Sequence, residues 1–171
     1  MSWEDEALKA AQDCLQNGFA LYNFQVTYVN HEPRIQVYLD KLIDPFGSPT
    51  IAECEKFSQI FDLKLSAVMQ KHQLEQRYSL EVSSPGAERK IQLPEDLERF
   101  KNQPMKVRYQ QNGKPIYQVL QIQSYDENKT IWKIADVKKN RKNGSYKKAS
   151  KDATIELFIK DIEEVNLHLD F

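Results

Sequence analysis

Between Tyr78 and Arg89 the chain reads YSLEVSSPGAER, a strand that is forced to stop. Tyr78, Leu80 and Val82 alternate with Ser79, Glu81 and Ser83, the period of a half-buried strand. Ser84, Pro85 and Gly86 follow. Proline fixes its own φ and has no N–H to give a ladder, and glycine takes positive φ, so no strand continues through them. A charged pair, Glu88 and Arg89, comes next. The rest of the chain is organised around this stop.

The residues before it support that reading. Ser2 can cap a first helix, with Glu4, Asp5 and Glu6 in the turn where the helix dipole favours negative charge. Trp3, Ala7, Ala10, Ala11, Cys14 and Leu15 repeat at helical spacing, and Asn17-Gly18 is the predicted stop. Residues 19–29 read as a strand, Asn30 to Pro33 as a turn, and 34–41 as a strand with Ile35, Val37 and Leu39 on its dry face. After a Pro- and Gly-rich loop, Thr50-Ile51-Ala52-Glu53 fits a capping box. It opens a helix to about Gln70 whose predicted buried stripe is Ile51, Cys54, Phe57, Phe61, Leu65, Val68 and Met69. Two helices covering one face of a three-stranded sheet bury all five patterns.

Past the turn the grammar changes. Pro94 to Phe100 predicts a short helix, and we place the domain boundary so that residues 1–91 form an α/β domain and 92–171 a second one. Met105 to Tyr109 and Ile116 to Tyr125 flank Asn112-Gly113, a strong hairpin signal. Thr130 to Val137, Ala153 to Ile159 and a final stretch through Val165 and Leu167 supply further short strands. This predicts a small β-barrel, whose closure removes exposed edges. The fold class expected is α+β.

The run LEVSSPG, preceded by an aromatic and followed by an acid–Arg pair, resembles the signature of the ribosome maturation factor RimP family. Leu39-Asp40-Lys41, TIAECEKFS and DLERF extend the likeness over most of the chain. The bacterial pattern Gly-Leu-Asp-Arg-Pro-Leu is here Gly86-Ala87-Glu88-Arg89-Lys90-Ile91, which keeps the acid and the Arg but not the Pro. The resemblance implies an α/β domain followed by an SH3- or Sm-like barrel. It also implies a non-catalytic factor that binds the immature small (30S) ribosomal subunit through ribosomal protein and rRNA.

Composition is compatible with this. Of 171 residues, 40% are hydrophobic and 29% charged, as in ordinary soluble globular proteins. No apolar run approaches the ~20 residues of a membrane span. The acidic N-terminus reads as neither a secretory signal nor a transit peptide. Residues 1–89 hold 8 Lys/Arg against 13 Asp/Glu, a balance of −5; residues 90–171 hold 16 against 12, or +4, together the −1 of the whole chain. The two halves carry different surfaces.

No chemistry is legible. His31, His72 and His168 are not at ligand spacing with Cys or carboxylates, HExxH and CxxC are missing, and so are phosphate-cradling glycine loops. Cys14 and Cys54 read as two buried thiols. Ser83 and Ser84 lack a neighbouring base and read as braces of the turn; Glu81 and Glu88 read as solvated or Arg-paired carboxylates. Neither catalysis, cofactor nor metal is expected. The candidate docking surface is Glu81, Ser83, Ser84, Pro85, Gly86, Glu88 and Arg89, with Arg89 alternatively a structural residue. The candidate rRNA phosphate contacts are Lys138, Lys139, Arg141, Lys142, Tyr146, Lys147, Lys148 and Lys151, a basic loop without an acid. The expected protein is a monomer of the bacterial cytosol, or alternatively of the plastid stroma. The competing function is a general RNA-binding or protein-docking adaptor on a small barrel.

Overall fold

In the computed structural model, which describes residues 1–75, 77–86, 88–145 and 153–169, Ser2 caps helix α1 (Trp3–Asp13) by accepting the Asp5 N–H at 3.2 Å. Ala7, Ala11 and Cys14 are buried, and Trp3, Ala10 and Leu15 pack against them. The helix stops at Asp13, earlier than the predicted Asn17-Gly18, and Gly18 with φ +88° leads directly into β1 (Phe19–Val29). β2 (Glu32–Lys41) pairs antiparallel with β1. Their turn is tighter than the predicted Asn30–Pro33, because Asn30 and His31 both take positive φ, 52° and 68°. A two-residue turn of that kind matches strand twist, so Glu32 and Pro33 are drawn into the ladder.

The capping box forms as predicted. Thr50 Oγ1 accepts the Glu53 N–H at 3.1 Å, and Glu53 Oε1 accepts the Thr50 N–H at 2.9 Å, opening α2 (Ile51–Lys71). That backbone bond, reinforced by Lys41, holds the Glu53 carboxyl below the usual range. Cys54, Phe57, Phe61, Leu65 and Met69 are buried and Val68 is half-buried, but Ile51 is 81% exposed. The stripe at 3.6-residue spacing overreached here: as the first helical residue, Ile51 is not covered by the sheet.

β3 (Ser79–Ser83) runs parallel to β2, completing the sheet order β1-β2-β3. Ile35, Val37 and Leu39 of the central strand meet the α2 stripe, and Phe61 stacks with Phe24 at 6.5 Å and Phe57 at 5.6 Å between ring centroids. Each such side chain contributes about 1.5–3 kcal/mol by leaving water. This is the first compact unit, Met1–Gly86.

The second, Ala87–Phe171, is a curled five-stranded half-barrel. A short helix α3 (Leu97–Phe100) precedes β4 (Met105–Gln111) and β5 (Lys114–Tyr125), joined by Asn112 and Gly113 at φ 52° and 75°, as the Asn-Gly signal predicts. β6 (Lys129–Ile134), α4 (Lys138–Lys142), β7 (Ile155–Phe158), a 3-10 turn (Ile159–Asp161) and β8 (Ile162–Leu167) follow. The order is β7-β6-β5-β4-β8, so β8 returns beside β4. Inside lie Met105, Val107, Leu120, Trp132, Val165 and Leu167, all essentially inaccessible.

Two predictions need correcting here. The strand expected to run to Val137 ends at Ile134, because Ala135 is drawn off to donate its N–H to the Val119 carbonyl. The first part of the expected basic loop is helix. The α+β class, with two helices on a three-stranded sheet and then a small barrel-like unit, is as expected.

Candidate functional site

The residues singled out around the SSPG turn divide between the two units. In the first, the β2–β3 ladder ends at Tyr38 and Ser83, and Gly86 takes φ +99°, where any other side chain is strained. Ser83 and Ser84 line a groove of about 330 Å³ together with Pro49, Ile51 and Cys54 from the start of α2. Pro85 is half-buried and Gly86 exposed. Glu81 is exposed and accepts from Arg34 at 2.6 Å, which keeps its carboxyl below the usual range.

Glu88 and Arg89 belong to the second unit. Glu88 is exposed, with its carbonyl accepting from Asn166 Nδ2 at 3.1 Å. Arg89 is only 4% exposed. Its guanidinium lies 4.9 Å from the Phe100 ring centroid, and its carbonyl accepts the Leu167 N–H at 2.9 Å. Lys90 bridges to Asn166, and the Ile91 N–H reaches the Val165 carbonyl at 2.8 Å. Residues 88–91 are thus stitched along β8.

The basic segment has more structure than its sequence suggests. Lys138, Lys139, Arg141 and Lys142 are exposed on α4, while Asn140 points inward. Asn140 Nδ2 donates to the Val119 and Ala135 carbonyls, each at 2.9 Å, and Val137 is buried with Val119 and Ala135. Arg141 pairs with Asp136 at 3.3 Å. Cations are therefore displayed from a short helix clamped to the outside of the half-barrel. Tyr146, Lys147, Lys148 and Lys151 lie outside the described residues. Sequence reasoning missed Asn140; one amide inside a run of cations was its only trace. Asn140→Ala is expected to cost about 1–2 kcal/mol, the net worth of two hydrogen bonds, and to speed amide exchange in α4 without removing a charge. Hydrogen-exchange mass spectrometry checks this.

Other reactive groups are engaged in structure. His72 Nε2 meets Glu6 Oε2 at 3.0 Å, and the His168 backbone N–H donates to the Pro104 carbonyl. Burial raises the Cys14 and Cys54 thiols above their ordinary range. Among the described residues no group of three or more His, Cys, Asp or Glu is placed to hold a metal ion, and no helix is long and apolar enough to cross a membrane.

Comparison with known proteins agrees with this architecture. Residues 10–88 match the family model described as the RimP N-terminal domain, and residues 90–168 match one described as a domain of unknown function (DUF7912). The ribosome maturation factor RimP of Leptospira interrogans serovar copenhageni is 32% identical over 152 residues, covering 88% of this chain and 86% of the relative. The ribosome maturation factor RimP of Leptospira biflexa serovar Patoc is 38% identical over 81 residues, 47% of this chain and 48% of that one. A match of this identity along nearly the whole chain, with the SSPG turn and both units in place, means that the protein belongs to the ribosome maturation factor RimP family.

Proposed function

We propose that this chain is a non-catalytic assembly factor of the bacterial cytosol that binds the free small ribosomal subunit and assists its maturation. Similarity to a ribosome maturation factor over 88% of the chain is the observation that carries this reading. Such a factor needs only to bind an immature state more tightly than the finished particle, which shifts the population along the assembly route. The two surfaces would divide the work. The SSPG turn, with Glu81, Ser83, Ser84, Pro85 and Gly86, serves docking on ribosomal protein or RNA, with the exposed Glu88 a contact on the second unit and the buried Arg89 its structural support. The cations of α4 and the segment after it grip rRNA phosphates without reading sequence.

Co-sedimentation with free small subunits, complete ribosomes and large subunits at two salt concentrations tests it. Preferential binding to free small subunits is expected. The triple variant Lys138→Glu, Lys139→Glu, Lys142→Glu leaves the Arg141–Asp136 pair in place and should weaken that binding at least tenfold. Its salt dependence should flatten by about 0.7 in log–log slope for each phosphate that goes unneutralised. Equal binding of the parent protein to every particle, abolished by salt, would instead make it a general RNA-binding adaptor.

A further inference from the structure

We propose that the outer face of β4 and β5, next to α4, is a stacking platform for an unpaired base of single-stranded RNA, with Tyr117 as the platform. This inference rests on the RNA-contact reading of α4 and extends it from phosphate to base.

The placement follows from register. Val107 and Tyr109 of β4 are buried on the inner face, so Lys106 and Arg108 point outward, and their β5 partners are Val119 and Tyr117. Val119 is covered from outside by Ala135 and Val137, and its carbonyl holds Asn140 of α4. Tyr117, two residues earlier on the same face, is 55% exposed. It therefore stands about 7 Å along the strand from the residue to which the basic helix is fastened.

The ring is also pre-organised. The Arg108 guanidinium lies 5.3 Å from its centroid, and Arg108 is itself held by an ion pair with Glu163 at 2.6 Å. A planar cation fixed against an aromatic is a surface on which a base can stack, and stacking depends little on base identity because every base has a π-face. Charge on this face favours a polyanion. Lys106, Arg108 and the exposed Lys133 join the four cations of α4, against Glu163, which Arg108 engages, Glu164 opposite Arg108, and Asp136, which Arg141 engages. A strand whose phosphates rest on α4 thus brings a base over Tyr117.

Fluorescence anisotropy with a short labelled oligoadenylate, the abasic ribose-phosphate oligomer of equal length and an RNA duplex tests the proposal on the full chain. Tyr117→Leu keeps bulk without a π-face and should weaken oligoadenylate binding about 5- to 10-fold, the lower range for loss of one stacked base. Abasic oligomer and duplex should bind that variant as they bind the parent, and Tyr117→Phe should retain oligoadenylate affinity. Melting temperatures of both variants identify any loss that comes from unfolding, and Tyr117→Phe against Tyr117→Leu isolates the ring. Unchanged oligoadenylate affinity in Tyr117→Leu, with affinity lost in the α4 triple variant, overturns the platform while leaving the phosphate grip standing. An equal loss for the abasic oligomer overturns it too, since no base is then involved. Loss of subunit binding with naked RNA unaffected assigns the face to ribosomal protein and also overturns it. If the parent binds none of the RNAs, the RNA-contact reading of α4 falls together with the platform.

Discussion

Replacing Trp132 with alanine is expected to destabilise the half-barrel by about 3–5 kcal/mol, the usual cost of emptying a buried aromatic site. Trp132 is fully buried on β6, and its Nε1–H donates to Thr130 Oγ1 at 2.7 Å. The Thr130 hydroxyl, equally buried, donates in turn to the Leu157 carbonyl at 2.8 Å. The indole thus fills the interior and anchors a chain of donors that ties β6 to β7. For a unit of this size each kilocalorie moves the melting point by about 4–8 °C, so the variant should melt at least ~12 °C lower. Small domains have only about 5–15 kcal/mol in total, so a substantial share of the half-barrel's stability is at stake. Trp132→Phe should cost much less, about 1–2 kcal/mol, because the retained ring leaves only a small void and a single hydrogen bond is lost. Differential scanning calorimetry distinguishes the two variants; near-identical melting of the two would mean that the ring volume Phe retains contributes nothing. The functional consequence follows from chain order, since α4 begins six residues after Trp132 and hangs from the same half-barrel.

Arg89→Ala should lower the stability of the second unit by about 2–3 kcal/mol. A guanidinium over an aromatic contributes about 2 kcal/mol or more when shielded from water, and its aliphatic stem adds packing. Phe100 beneath it is itself fully buried, and Arg99 stacks on the same ring at 4.6 Å. Arg89→Ala alone cannot separate scaffold from docking, because a loosened unit binds poorly for trivial reasons. Glu88→Ala supplies the contrast: its side chain is exposed, so its melting temperature should match that of the parent. Subunit binding measured beside thermal melting decides the roles. If Glu88→Ala binds normally and Arg89→Ala loses binding only in proportion to stability, Arg89 is scaffold and the docking surface shrinks to the turn.

Much of the first unit was legible because its signals are local. Phe19–Val29 is a strand because aromatic and β-branched residues fill it, and Thr50 with Glu53 marks a helix start by chemistry that needs no tertiary context. Ile51 shows the limit of periodicity, which knows the direction of a helix face but not where the sheet beneath it ends. Pro33 reads as a breaker, yet β3 pairing begins only at Arg34, so the strand accommodates it at its start. The candidate site was less legible. A run of cations looks like loop because no apolar period organises it; what shapes α4 is Asn140 reaching the Val119 carbonyl, 21 residues distant in sequence. Tyr117 carries no local signature either, since its partner Arg108 comes into range only through β4–β5 register.

The return of β8 to the flank of β4 sets an order on the birth of the protein. The first unit has all its strands once Ser83 has emerged from the peptide exit tunnel, and nothing in its ladder waits for later residues. The second cannot close until Ile162–Leu167 has been made, because β4 needs β8 along one edge, and Arg89 and Ile91 wait for the same strand to bond their backbones. Domains fold as units during synthesis, and pairings between distant residues form slowly. The acidic unit therefore takes shape while its basic companion is still an open chain, whose first segment and β4 await partners about 75 and about 60 residues away in a nascent polypeptide growing at ~5–20 residues per second.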